Sequence, residues 1–116
     1  MQEVTNREHV VVIDVDDTLV MRDVSDPTDW LICPYDGTTI PVRRHNKHIK
    51  LLKDYHARGY YVIVWSAGGW NWARAVVDSL DLSGYVHHTM AKPVKYVDDL
   101  EAKDILGTRV YLDDKA

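Results

Sequence analysis

Asp14, Asp16 and Asp17 stand almost side by side, directly after the apolar run Val10-Val11-Val12-Ile13. Carboxylates delivered so close together at the end of such a run repel one another. A divalent cation with oxygen ligands relieves that repulsion, and magnesium is the commonest choice where phosphate also binds. With its charge partly neutralised, one carboxylate can attack phosphorus and form an aspartyl-phosphate. A second, two residues on, can protonate the leaving oxygen and later activate water. The bland alternative is a turn capped by Asp16 and Asp17. It leaves unexplained why an apolar run should lead straight into Asp-Val-Asp-Asp-Thr.

Such chemistry needs elements that carry the carboxylates to one crevice. The continuous β-branched run at 10–13 suits a central parallel strand with both faces covered. Asn46 is a cap for a helix whose apolar stripe is Ile49, Leu52, Tyr55 and His56, with Gly59 as its stop. Residues 60–65 form a second apolar run, read as a buried strand. After Gly68-Gly69 a helix follows with Ala73, Val76, Val77 and Leu80 on one face. Residues 85–88, 94–97 and 109–112 read as three further short strands, with a short helix at 100–106 before the last. The alternation predicts one α/β domain over 1–116, an open, mostly parallel five-stranded sheet with helices on both faces. In such sheets ligands bind beyond the carboxyl ends of the strands. Residues 21–44 break the pattern with turn signals, and 30–33 and 38–40 flank Tyr35-Asp36-Gly37 as a hairpin. We read this stretch as a flap over the site.

Bulk properties agree with a single domain of 116 residues, 46% of them hydrophobic and with a formal charge of −4. No apolar run approaches a membrane span, and the polar start is no signal peptide. The lone cysteine, Cys33, cannot form an internal disulfide, in keeping with the cytoplasm. A mildly acidic chain is not built for non-specific nucleic-acid binding.

Residues 11–19, Val-Val-Ile-Asp-Val-Asp-Asp-Thr-Leu, resemble the first signature of the haloacid-dehalogenase superfamily. Val62-Ile63-Val64-Trp65-Ser66 resembles the second, Lys92 the third and Val97-Asp98-Asp99 the fourth, in the superfamily's order. The resemblance implies that Asp14 is nucleophile and metal ligand, and that Asp16 is general acid/base and lends its backbone carbonyl to the metal. Ser66 and Lys92 would hold phosphate, while Asp98 and Asp99 would complete a magnesium site. In this superfamily the second aspartate marks phosphate chemistry as opposed to dehalogenation.

Several positions compete for these roles. Asp113-Asp114 also follows an apolar run and rivals Asp98-Asp99. The earlier pair is preferred, because chain ends fray and a ligand there would lack an element to hold it. Lys95 rivals Lys92, but reads better as a surface lysine. Arg43, Arg44 and His45 either reach a phosphate or form a solvated basic face. His87 and His88 point to opposite faces of a strand and are structural. Trp65 reads as core, whereas Trp70 and Trp72 either stack a base or pack a helix.

The expected activity is hydrolysis of a phosphomonoester by a small phosphatase with a minimal cap, similar to the phosphatase domains of polynucleotide end-repair enzymes. An open site admits a phosphorylated small molecule or a nucleic-acid end, or is closed by a second subunit in a homo-oligomer. Two other outcomes share the same residues: a phosphate-binding or regulatory module without useful turnover, and phosphotransfer to an acceptor other than water.

Overall fold

The β-branched run at 10–13 forms the second half of β1 (Asn6–Asp14) in the computed structural model, which describes residues 6–114. β1 pairs in parallel with β5 (Tyr60–Ser66), Val11 opposite Val62, Ile13 opposite Val64 and Asp14 opposite Trp65. β5 pairs in parallel with β6 (His88–Ala91), so that Ser66 stands opposite Ala91. The two pairings bring Asp14, Ser66 and the start of the loop after Ala91 to one end of the sheet. Parallel neighbours require long crossovers, here residues 15–59 and 67–87.

The helices in those crossovers bury the faces that the sequence marks. α1 (Asn46–Ala57) buries Leu52 and His48, and α2 (Trp70–Ser79) buries Trp72, Ala73, Val76 and Val77. Leu80, just past α2, is buried as well. Both helices pack on β5, whose Val62 and Val64 are fully enclosed. Each such valine contributes about 1.5–3 kcal/mol by leaving water. α1 is capped one residue earlier than expected. His45 is its N-cap, and its Nδ1 accepts from the His48 N–H at 3.2 Å, the part a cap side-chain oxygen usually plays.

Residues 20–44 build a second, antiparallel sheet in the order β2 (Val20–Met21), β4 (Thr39–Arg44), β3 (Asp29–Ile32). The expected hairpin is present, Leu31 facing Ile40 across a turn closed by Cys33 and Thr38. Gly37 takes a φ of 74° there, and Asp36 Oδ1 accepts from the Thr38 N–H and hydroxyl. Pro41 sits where β4 has one neighbour only, because β2 covers just Arg43 and Arg44. Leu31 and Val42 are buried in the same core as β5 and α2, so the flap is part of the fold. Trp30 and Ile32, on its opposite face, are exposed.

The sheet differs from the five-stranded expectation in three places. Residues 94–97 are not a strand: Val94 and Val97 stand in solvent, and β-branched side chains favour a strand only where a pleated surface receives them. Residues 109–112 are not a strand either, since side chains satisfy the Leu112 backbone. The third parallel strand begins at His88, after a 3₁₀ turn at Ser83–Tyr85. His87 precedes it, accepting from the Val62 N–H through Nδ1 and donating its own N–H to Val62 O, as a structural residue should. β1 therefore lies at an edge of the parallel sheet, not at its centre. The short helix α3 (Ala102–Ile105) falls within the stretch expected to be helical.

Candidate active site

Asp14 ends β1 and enters a tight turn. Val15 O accepts from the N–H groups of Thr18, Leu19 and Val20, and Asp17 adopts a φ of 62°, which aspartate tolerates better than most residues. The turn brings Thr18 back over Asp14, where its hydroxyl donates to Oδ2 at 3.1 Å. Oδ1 faces the Lys92 ammonium at 3.0 Å. Both oxygens of Asp14 are thus fixed, one by a hydroxyl and one by a cation.

Lys92 owes its place to β5. Its backbone N–H donates to Ser66 O at 2.9 Å, one step beyond the β5–β6 ladder. The Ser66 side chain is buried and its Oγ accepts from the Gly68 N–H at 2.9 Å, leaving its own proton to be donated. Tyr35, at the tip of the hairpin, donates to Gly68 O at 2.8 Å, so the flap touches the loop that follows Ser66. A Cβ on Gly69, whose φ is 102°, would overlap the Tyr35 hydroxyl. Asp16 points to a different group of residues: its Oδ1 accepts from the Trp72 indole N–H and from Arg22.

Lys92 meets Asp14 through its ammonium and Ser66 through its backbone N–H, with Asp16 in the adjoining turn. Asp98 and Asp99 are not bonded to them. Asp98 accepts from its own Leu100 N–H in an exposed turn, and Asp99 is exposed beside it. Tyr111 reaches the signature turn instead, and Leu112 is linked to it through His48. Tyr111 donates its hydroxyl to Asp17 O at 2.9 Å. His48 donates through Nδ1 to Thr18 O at 2.7 Å and accepts the Leu112 N–H on Nε2 at 2.8 Å. His45 donates from Nε2 to Leu112 O at 2.9 Å, its Nδ1 being the cap acceptor. The two imidazoles stack at 3.7 Å, with Tyr111 edge-on to both. Each ring has one donating and one accepting nitrogen, so both are neutral. Burial holds the His48 pKa below its ordinary value. Arg43 forms an ion pair with Asp114 at 2.6 Å and, by that hydrogen bond, keeps its carboxyl below the usual range.

The remaining candidates are accounted for by packing. Arg44 grips Asp29 through two hydrogen bonds, which lower the Asp29 pKa against the opposing effect of burial. Arg43, Arg44 and His45 are thus each held by a partner in the fold. Lys95 is exposed. Trp72 is 4% exposed, which excludes it as a stacking platform, whereas Trp70 is 57% exposed. The sequence reading missed Thr18, Arg22 and His48. Thr18 was legible, lying four residues after Asp14 in a turn; Arg22 and His48 needed the tertiary contacts.

Among the described residues no group of three or more His, Cys, Asp or Glu side chains forms a metal cage. Magnesium does not need one, since it binds through one or two carboxylates and keeps water and phosphate oxygens. The Asp14 carboxylate is itself an oxygen ligand of the kind a hard cation takes. An open groove of about 890 Å³ runs from Asp14 and Lys92 along the free edge of β1 to residues 105–110. No helix among the described residues is long and apolar enough to cross a membrane.

A parallel α/β sheet with an aspartate, a serine and a lysine at its carboxyl end is the arrangement of a haloacid-dehalogenase-like phosphatase. The chain belongs to the NLI interacting factor-like phosphatase family, one of that superfamily, whose family model matches residues 9–114. Comparison with curated proteins and with solved structures gave no match.

Proposed function

We propose that the protein hydrolyses a phosphomonoester with magnesium, through an aspartyl-phosphate on Asp14. The observation that carries the reading is the 3.0 Å contact between Lys92 Nζ and Asp14 Oδ1 at the end of the parallel sheet. A cation beside the nucleophile offsets the repulsion between a carboxylate and an incoming phosphate dianion. Asp14 Oδ1 or Oδ2 forms the bond to phosphorus, and the ester P–O bond breaks. The leaving oxygen takes a proton from Asp16, which then removes one from the water that releases phosphate. Ser66 and Lys92 hold the phosphoryl oxygens.

Asp14 and the Asp16 carbonyl would hold magnesium, joined by an acidic residue of one of the two later pairs. We favour Asp113, because residues 111–112 are tied to the signature turn while Asp98 closes an exposed one. Bound there, the cation would neutralise charge on the phosphoryl group and on Asp14. The groove beside β1 is of the size that takes a small ligand. With Arg43 and Arg44 engaged by carboxylates, a phosphorylated small molecule is favoured over a nucleic-acid end as substrate. We place the protein in the cytoplasm on the lone Cys33.

The test compares phosphate release from a sugar phosphate, a mononucleotide and a 3′-phosphorylated oligonucleotide, each with magnesium. At least one should turn over, and Asp14→Asn should abolish it without changing the circular dichroism spectrum. Full activity in that variant would remove Asp14 as nucleophile.

A further inference from the structure

Asp16 is gripped on one oxygen only. The Trp72 indole N–H donates to Oδ1 at 3.1 Å and Arg22 Nη1 reaches the same atom at 3.2 Å. Arg22 also lies over the Trp72 ring, its guanidinium carbon 5.5 Å from the centroid. Oδ2 carries no donor among the described residues. The two holds differ in strength. The Arg22–Asp16 pair is exposed on both sides, at 42% and 37%, and such pairs contribute little. The indole, by contrast, is buried in the first turn of α2. Its Cδ1 would lie 3.2 Å from a Cβ at Gly68, itself 3.3 Å from Ser66 Oγ, so ring and phosphate-side loop are packed as one.

We propose that Trp72, braced by Arg22, is the positioning residue for the acid–base carboxylate: by clamping Asp16 Oδ1 it presents Oδ2 to the leaving oxygen. The assignment rests on the phosphatase reading above. As Asp14 bonds to phosphorus the ester P–O bond breaks, its electron pair stays on the leaving oxygen, and that oxygen takes the proton from Asp16 Oδ2. A carboxylate free to turn would offer the proton in the wrong direction for much of the time.

Trp72→Phe keeps the buried ring and removes the N–H. The readout is alcohol released in the first turnover, with magnesium, from two esters. An alkyl phosphate needs a proton on its leaving oxygen; p-nitrophenyl phosphate does not. For the alkyl ester the rate should fall about tenfold, the scale of one hydrogen bond to a charged group, with KM unchanged. The rate with p-nitrophenyl phosphate should stay within about twofold, because no proton transfer limits it. Arg22→Gln, at an exposed position, should show the same selectivity with a smaller loss, which keeps the proposal testable should the Phe variant misfold. Equal losses on both esters would mean that Trp72 serves packing alone and would overturn the proposal, as would no loss on either. Wild-type protein inert towards both esters would sink the phosphatase reading itself, a distinguishable failure.

Discussion

Replacing Lys92 with Gln removes one positive charge 3.0 Å from Asp14, the proposed nucleophile. The two side chains are 39% and 33% exposed, so the pair sits at the water boundary. At that separation Coulomb attraction is about 1.4 kcal/mol with the dielectric of water and about 5.5 kcal/mol at the effective value for groups near a protein surface. In folding, most of this is lost to screening and side-chain entropy, and stability should fall by less than about 1 kcal/mol. On the proposed mechanism the same cation meets phosphoryl oxygens in the transition state, shielded from water by the enzyme. Loss of one such donor costs on the order of 10²–10³ in kcat. A wide gap should therefore open between a small change in Tm and a large change in turnover. The assay is steady-state hydrolysis of p-nitrophenyl phosphate with saturating magnesium, beside a thermal melt. Lys95→Gln, three positions on and exposed, is the control and should behave as wild type. If Lys92→Gln keeps more than about a tenth of wild-type kcat, the charge beside Asp14 is not the one that stabilises the transition state. If Lys95→Gln carries the loss instead, the phosphate cation has been misassigned.

The acidic pairs can be separated by magnesium titration: Asp113→Ala should raise the concentration for half-maximal activity by about tenfold or more, and Asp98→Ala should leave it unchanged. The reverse pattern would restore the earlier pair. His48 is neutral in the fold and its pKa lies below the ordinary 6.5, so the unfolded chain takes a proton more readily. Its contribution is therefore complete above that value and is lost as pH falls through it towards the lower folded one. Urea unfolding followed from about pH 7.5 to about pH 5 should record that loss, and His48→Gln should flatten it. An unchanged slope in the variant would assign the effect to another group.

What could be read from the sequence was what local periodicity governs. The stripes 73, 76, 77, 80 and 49, 52, 55 became the inward faces of α2 and α1, and Val62 and Val64 became the core of β5. Asp14, Ser66 and Lys92 were legible because each closes or follows a strand, and parallel pairing puts such ends together. Residues 94–97 and 109–112 were misread because a β-branched run records a preference for a surface, not the presence of one. Position 112 shows the competing physics: two stacked imidazoles take the N–H and C=O that a neighbouring strand would have taken. The fraying argument against Asp113-Asp114 left out long-range contacts of this kind. Tyr111 is held by Asp17, Leu112 by His45 and His48, and Asp114 by Arg43, and none of these long-range partners is visible in a local pattern.

The two sheets also differ in when they can form. β3 and β4 are joined by residues 33–38 alone, and a hairpin of that kind closes in about 1–10 μs. β1 meets β5 only after the chain has wandered through residues 15–59, and closing so long a detour carries an entropic cost before any ladder bond exists. On that order of events β1 finding β5 limits self-assembly, so Val62→Ala along that pair and Leu31→Ala in the earlier hairpin should both slow refolding more than they speed unfolding. Asp14 sits on the late-docking strand, so its carboxylate meets Lys92 only when that large loop has shut.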